Sequence, residues 1–252
     1  MFRSLIAAFS MYSRIPMPKI RWEEKDTRYM MCFFPLIGIV LGGVNWGAYL
    51  LMEHYGDFHR LFSSAVLTAL PLLLTGGIHM DGWMDTNDAI HSWKDREGRL
   101  EILKDPHVGA FAVISAIMYV LLTAAGYSEI LTETIGIVAV SFVFSRTLSA
   151  LSVVTFPKAS AEGTVSSIGK NAAPGVTGIL LGELAASAAG MILLDPVLGI
   201  TAVVVGLLVF AYYYRMSVCR FGGINGDLAG YFLCLCELMI LLTEAVFGRI
   251  LL

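Results

Sequence analysis

The sequence predicts an all-α fold: one polytopic membrane bundle of about seven transmembrane helices, preceded by an amphipathic interfacial helix. Composition is the first indication, because 57% of the 252 residues are hydrophobic and only 15% are charged, against about 25% charged in a soluble domain. The second is a mean hydropathy of +0.73. The third is the repeated occurrence of apolar runs of roughly 20 residues, the length that crosses a bilayer. No linker or internal repeat is visible, so we expect a single domain over residues 1–252.

The N-terminal segment has the pattern of an amphipathic helix. Its apolar face follows the spacing i, i+3, i+4, i+7, which the sequence fills with Phe2, Leu5, Ile6 and Phe9. We expect this helix to lie at the membrane surface and to end near Pro16. A cleaved signal peptide is disfavoured, because the apolar core is short and no small-x-small cleavage site follows it.

Seven apolar windows follow and are predicted to span the membrane. They are 32–52, 61–78, 108–126, 134–156, 174–194, 197–214 and 230–248. Only Asp195-Pro196 separates the fifth window from the sixth, which predicts a tight turn there.

The distribution of positive charge predicts the orientation. Fourteen of the seventeen Lys and Arg residues lie before the first span or in the connections 79–107, 157–173 and 215–229, and only two lie on the other side. By the positive-inside rule the N-terminus is cytoplasmic and the protein is a multi-pass protein of the plasma (cell inner) membrane. The polar connections then face the cytoplasm, where we expect the active site. No basic stripe with interleaved aromatics indicates a nucleic-acid partner.

The stretch GGIHMDGWMDTNDAIHSWKD at 76–95 concentrates acidic residues. If it is helical, one stripe carries Asp81, Asp85, Asp88 and Asp95. Like charges four residues apart destabilise a helix, whereas a divalent cation bound with phosphate reverses the sign of the interaction. A magnesium–phosphate site and a solvated acidic face, with Asp81 complementing the helix dipole, are the two interpretations.

Two further groups are candidates for the same site. His79 could take a proton from an attacking hydroxyl, or it could hold an aspartate in position. The loop GGINGD at 222–227 carries Asn225 and Asp227, so Asp227 is either another metal ligand or ordinary turn chemistry.

Basic residues near these acids agree with a phosphorylated substrate. The polar segment after the aspartates carries Lys94, Arg96, Arg99 and Lys104, which could pair with a diphosphate. The segment 162–171, EGTVSSIGKN, adds Lys170. Inside the spans, ionisable residues need partners or a function. Arg146 therefore forms a buried ion pair with Glu183 or Glu237, or it reaches substrate phosphate while Glu237 orients it.

Motifs along nearly the whole chain resemble the cobalamin synthases, that is, the adenosylcobinamide-GDP ribazoletransferases. The motifs are FSMYSRIPMP (9–18), FFPLIGIVLGG (33–43), TGGIHMDGWMDTNDAI (75–90), ILKDPHVGAFA (102–112), SRTLSAL (145–151), EGTVSSIGK (162–170), GGINGD (222–227) and CEL (236–238). One departure is Pro106-His107, where the family usually has a Ser-Arg-type pair.

The resemblance implies a Mg²⁺-dependent membrane enzyme. It would join adenosylcobinamide-GDP to α-ribazole or α-ribazole 5′-phosphate, through attack of the ribazole 5′-hydroxyl on the corrinoid-linked phosphorus, and would release GMP. Together with the patterns above, it predicts metal ligands at Asp81, Asp85, Asp88 and Asp227. It predicts catalytic roles for His79, Asp81 and Asp85. It predicts substrate contacts from Lys104, Asp105, Arg146, Lys170, Asn225 and Glu237. Whether the chain forms a homo-oligomer is left open.

Two other classes compete with this interpretation. A CDP-alcohol phosphotransferase would show Asp-Gly-x-x-Ala-Arg, but Asp85-Thr86 stands where Ala-Arg is required. A prenyltransferase would need a second aspartate-rich motif. A cation-coupled transporter would distribute its polar groups toward both faces and the midplane, whereas here they cluster on one side.

Overall fold

The computed structural model describes residues 1–21, 23–56 and 58–252, and these residues are helical throughout apart from loops. The helices are α1 (Phe2–Tyr12), α2 (Met30–Tyr55), α3 (Arg60–Thr75), α4 (Ile78–His91), α5 (Arg96–Ile102), α6 (Ala110–Glu129), α7 (Ile135–Thr155), α8 (Thr164–Asn171), α9 (Val176–Leu194), α10 (Pro196–Phe221) and α11 (Gly226–Leu251), with a 3₁₀ helix at Glu24–Thr27. The all-α prediction is confirmed.

Six helices are long and apolar enough to cross a membrane: α2, α6, α7, α9, α10 and α11. The remaining predicted span, 61–78, is divided. Its helix α3 ends at Thr75, and the chain bends by 96° into α4. Gly76 and Gly77 make the bend possible, because both adopt left-handed backbone angles (φ 68° and 79°) that favour glycine. By length and composition, the described residues thus provide six candidate spans, or seven if the bent pair counts as one.

The predicted turn between the fifth and sixth windows is confirmed. Asp195 ends α9, and its carboxylate accepts hydrogen bonds from the first free amides of α10, those of Val197 and Leu198, at 2.9 and 2.8 Å. Pro196 occupies the first turn of α10, where its missing N–H costs nothing.

The N-terminal helix is present, but it packs on the bundle rather than lying only at the membrane surface. Ile6 and Phe9 of the predicted apolar face are buried, whereas Phe2 is 74% exposed. Arg3 then ties α1 to the 3₁₀ helix through a bidentate ion pair with Asp26 at 2.8 and 2.9 Å. This guanidinium holds the pKa of Asp26 below its usual range.

Two helix crossings organise the bundle, and the first joins α2 to α7. Gly38 and Gly42 lie one helical turn apart on α2, and a Cβ at either would collide with the α7 backbone at Phe142 or Ala139. Small residues therefore let the two backbones touch, as is usual where membrane helices cross closely.

All the long connections meet at one end of the bundle, which we call the α4 end. It comprises α1, α4, α5, α8, the C-termini of α7 and α10, and the N-terminus of α11. The opposite end has short connections only.

We expect Gly42→Ala to destabilise the protein by about 1–3 kcal/mol, because the added methyl group must displace the α7 backbone. Gly43→Ala is the matched control, since Gly43 has open space around its Cβ position. Thermal unfolding of both variants in detergent checks this. Equal unfolding midpoints for the two variants would contradict the close crossing.

Candidate active site

A second close crossing, between α4 and α11, assembles the site. A Cβ at Gly82 would lie 2.6 Å from the backbone oxygen of Asp227, and one at Gly230 would lie 3.1 Å from the backbone oxygen of His79. The glycine after Asp81 in the aspartate stretch is therefore required by packing. It brings the start of α11 against the first turns of α4.

This crossing gathers three carboxylates, those of Asp81, Asp85 and Asp227. Burial, followed by the charges of Asp81, Asp227 and Asp88, raises the pKa of Asp85 to about 6. Among the described residues none of these carboxylates is in an ion pair. We call Asp81, Asp85 and Asp227 the acidic cluster. Its negative charge is left uncompensated by the protein.

Asp88 has a structural partner. Its two oxygens accept hydrogen bonds from the backbone amides of Gly109 and Ala112, at 2.6 and 2.9 Å. It thereby caps the N-terminus of α6, whose first amides have no partner within the helix. Its metal-binding role stays a prediction, and we leave it out of the acidic cluster.

Asp95 does not continue the stripe, so the sequence-based prediction of four aligned aspartates is wrong at its last member. Helix α4 ends at His91, and Trp93 adopts a left-handed conformation with φ 58°. Asp95 instead caps α5, accepting a hydrogen bond from the Gly98 amide at 3.0 Å.

Asn225 and Asp227 are fixed relative to each other. The Asn225 side-chain oxygen caps α11 by accepting from the Leu228 amide at 2.9 Å, and its NH₂ group donates to Asp227 Oδ2 at 2.8 Å. Asn225 thus positions a carboxylate of the acidic cluster. This loop also pairs with the segment after α7. The Ala159 amide donates to the backbone oxygen of Ile224, and the Ile224 amide donates to the backbone oxygen of Pro157, both at 2.9 Å.

His79 lies at the start of α4 and is 9% exposed. Its ring packs against Tyr12, with ring centroids 6.3 Å apart, and against Phe34 at 6.0 Å. Its Nε2 is buried and has no hydrogen-bond partner among the described residues. Burial, with a smaller effect of the Arg146 guanidinium, lowers the pKa of His79 to about 3, so the imidazole is neutral.

Arg146 pairs with Glu237 and not with Glu183. Its Nη1 donates to Glu237 Oε1 at 2.7 Å and to the backbone oxygen of Phe142 at 3.0 Å. The Ser145 hydroxyl adds a hydrogen bond of 2.9 Å to the same carboxylate oxygen. Arg146 is only 1% exposed, and it lines neither of the cavities at the α4 end. The pair links α7 to α11 beneath the site.

Two cavities flank Asp227. One cavity, of about 270 Å³, lies among α1, α2, α4, α7, α8 and α11 and includes Tyr12, His79 and Asp81 in its lining. We call it the enclosed cavity because most of its lining residues are buried. The other, of about 430 Å³, lies among α5, α8 and the loop before α11, and Lys104 lines it. We call it the open cavity because most of its lining residues are not buried. Asp227 borders both cavities.

The other predicted substrate contacts are placed as follows. The ammonium group of Lys170 donates to the backbone oxygen of Ala161 at 2.9 Å. Asp105 accepts from the backbone amide and the ring Nδ1 of His107, at 3.0 and 2.6 Å, in an exposed turn. Lys104 is the member of this group that reaches a cavity. The roles of Lys170 and Asp105 toward substrate stay predictions.

The donor chemistry of the acidic cluster suits Mg²⁺. This ion takes oxygen ligands and is usually held by one or two protein carboxylates together with substrate phosphates. Within the described residues, no three His, Cys, Asp or Glu side chains are arranged to hold a metal by themselves. The acidic cluster fits a cation whose remaining ligands are phosphate oxygens and water.

Two features could not be found from the sequence, and only the first lies at the site. Tyr12 and Phe34 lie in separate apolar segments, and only the fold brings their ring centroids to within 4.6 Å of each other beside His79. Toward the opposite end of α11, Glu244 is fully buried with both carboxylate oxygens unpartnered among the described residues. It lies inside the last apolar window, where the sequence offers no evident charge partner for it.

Among the described residues, six apolar helices are long enough to span a membrane, and a carboxylate cluster lies at one end with Asp227 bordering two cavities. These features define the class of multi-pass membrane proteins with a candidate active site at the α4 end. The family model described as cobalamin-5-phosphate synthase matches residues 4–245. The chain belongs to this family, which confirms the resemblance drawn from its motifs.

Individual relatives agree. The chain is 45% identical over 237 residues to the adenosylcobinamide-GDP ribazoletransferase of Lachnoclostridium phytofermentans, covering 94% of this chain and 90% of the relative. It is 33% identical to the protein of that name from Clostridium botulinum, with 98% of each chain covered. It is 34% identical to the adenosylcobinamide-GDP ribazoletransferase of Brevibacillus brevis, with 95% of this chain and 96% of the relative covered. No solved structure matches the chain.

We expect Glu237→Gln to lower the free energy of unfolding by about 3–5 kcal/mol, because it leaves the Arg146 charge buried without a counter-ion. The matched control is Arg249→Gln, which breaks a surface pair with Glu129 whose side chains are 39% and 55% exposed. Surface pairs contribute about 1 kcal/mol or less. Chemical unfolding in detergent measures the free energy of unfolding of both variants. Comparable decreases would show that the buried ion pair stabilises the protein no more than the surface pair does.

Proposed function

We propose that this protein joins adenosylcobinamide-GDP to α-ribazole or its 5′-phosphate, forming adenosylcobalamin or its 5′-phosphate and releasing GMP. The observation that carries the proposal is the acidic cluster, which has no counter-charge among the described residues and whose member Asp227 borders both cavities, in a chain of the cobalamin-5-phosphate synthase family. Membership of that family disfavours the CDP-alcohol phosphotransferase and transporter alternatives.

The chemistry is a displacement at phosphorus. The ribazole 5′-hydroxyl oxygen forms a bond to the corrinoid-linked phosphorus, the bond from that phosphorus to the GMP oxygen breaks, and GMP leaves with the electron pair. The hydroxyl proton is released. Such transfers depend on positioning and charge stabilisation, which the chain provides by fixing Asp227 through Asn225.

We further propose that Asp81, Asp85 and Asp227 hold Mg²⁺ together with the diphosphate. When bound, this ion would neutralise the diphosphate and stabilise the leaving GMP. Lys104, which lines the open cavity, would add a cation beside the leaving phosphate. His79 lines the enclosed cavity beside Asp81. Its burial disfavours the protonated imidazole, which favours the role of holding an aspartate in position over that of accepting the hydroxyl proton.

The proposed orientation places the α4 end in the cytoplasm, where the water-soluble substrates would arrive. The excess of Lys and Arg in the connections at this end supports it.

We expect Asp85→Asn to abolish Mg²⁺-dependent GMP release, because it removes one carboxylate charge from the acidic cluster while preserving side-chain size. Asp195→Asn is the matched control. Asp195 caps α10 at the opposite end, and asparagine is also a good N-cap. The assay uses purified protein with adenosylcobinamide-GDP and α-ribazole. Chelator should stop the wild-type reaction and added Mg²⁺ should restore it. Near-normal turnover of Asp85→Asn would refute the metal proposal.

Orientation can be tested through Cys219, which is exposed at the end of α10, whereas the other three cysteines are buried. We expect a membrane-impermeant maleimide to label it in inverted vesicles and not in intact spheroplasts. In a Cys219→Ser background, Glu133→Cys at the opposite end should show the reverse pattern. Labelling of Cys219 only from outside the cell would reverse the proposed orientation.

A further inference from the structure

The enclosed and open cavities share a wall and differ in the types of side chain that line the rest of each. Aromatic and thioether side chains lie in the enclosed cavity only, among them Tyr12, Phe34 and Met31. The open cavity adds hydroxyl, carboxylate and ammonium groups, from Ser160, Glu162 and Lys104. Rings on one side of Asp227 and a separate set of charged groups on the other indicate two different ligands.

We propose that the enclosed cavity binds the aromatic base of the acceptor nucleoside and that the open cavity binds the departing guanine nucleotide. This assignment rests on the proposed function, because it takes the two ligands from that reaction. It identifies the residues that select each of them.

The aromatic wall supports the first half of the assignment. The ring centroids of Tyr12 and Phe34 lie 4.6 Å apart, and Phe34 meets His79 edge-on at 6.0 Å. Flat apolar bases stack favourably on such rings. Met11 and Met31 also line the cavity, and thioether side chains adapt their shape to a ligand. The Nε2 of His79 is fully buried, so this wall offers a ligand ring faces rather than that nitrogen.

Size excludes the corrinoid from the enclosed cavity, because the macrocycle is much larger than a volume of about 270 Å³. For guanine, the open cavity offers a carboxylate outside the acidic cluster. In the open cavity Glu162 is exposed, and a carboxylate can accept two hydrogen bonds from the N1–H and NH₂ edge of guanine.

The shared wall supports the relative placement. Both cavities are bordered by Thr164, Val165, Gly226 and Asp227. A phosphorus atom held at this wall would have the attacking hydroxyl on the enclosed side and the leaving nucleotide on the open side. Displacement at phosphorus requires this in-line arrangement of entering and leaving oxygens.

Filling the enclosed cavity should change selection among acceptors. Ala229 is buried and lines that cavity, so Ala229→Leu should reduce its volume. We expect kcat/KM for α-ribazole to fall about 10- to 100-fold, since small changes in pocket volume have effects of this size. The loss should be smaller for the benzimidazole riboside without the two ring methyl groups. KM for adenosylcobinamide-GDP should stay within about twofold of wild type, because the open cavity is unchanged.

The matched control is Ala159→Leu, the same substitution in the lining of the open cavity. It should raise KM for adenosylcobinamide-GDP and leave the ratio between the two acceptors unchanged. If both variants affect the same substrate, or if Ala229→Leu lowers kcat/KM for both acceptors equally, the assignment of cavities is overturned.

A binding measurement keeps the test independent of turnover. Equilibrium dialysis of labelled α-ribazole with the detergent-solubilised protein should show about tenfold weaker binding for Tyr12→Leu, which removes one stacking ring while keeping an apolar side chain. Unchanged binding would overturn the assignment. Failure of the proposed function can be distinguished from failure of the cavity assignment. In the former case the wild-type protein itself would release no GMP from adenosylcobinamide-GDP and α-ribazole.

Discussion

The close approach of α4 to α11 is the constraint on which the site depends. Gly82 and Gly230 let the two backbones touch, so that Asp227 arrives beside the aspartates of α4. Three carboxylates then share one region, and the pKa of Asp85 rises because of burial and of its acidic neighbours. Like charges repel, so helix packing must hold this arrangement together. A bound cation would turn the repulsion into attraction. The close packing of α4 and α11 would then serve to form a cation site.

Several charged groups of the bundle have partners that explain them. Asp88 caps α6, Asp195 caps α10, and Arg146 is neutralised by Glu237. These contacts fix helix ends and lock α7 to α11, and they need no ligand. Glu244 is buried without a partner, but it is a single carboxylate. The acidic cluster differs because three carboxylates lie together, the described residues offer them no counter-charge, and Asp227 borders two cavities. A carboxylate is therefore a better candidate for chemistry when its local partners are missing than when it merely lies in an acidic stretch.

The side chains that line the two cavities can likewise be compared with the chemistry of the substrates. A charged diphosphate suits the acidic cluster only through a cation, whereas a flat apolar base suits the walls around Tyr12 and Phe34. The protein thus offers two cavities on either side of Asp227. In the proposed assignment, each serves one part of a reaction that must bring an aromatic acceptor and a highly charged donor together at one phosphorus atom.

The sequence by itself determined the helical membrane fold, the break at Asp195-Pro196 and the position of the acidic stretch, because apolar run length, proline chemistry and helical spacing are local properties. It also predicted that the charge of Arg146 needs a buried partner, but left Glu183 and Glu237 equivalent. Only the tertiary structure shows that Glu237 is the partner of Arg146 and that Asp88 and Asp95 cap helices. It also shows the bend of the second predicted span at Gly76 and Gly77 and the contact between the rings of Tyr12 and Phe34. These outcomes depend on contacts between residues far apart in the chain, and no local pattern encodes which distant helices will touch.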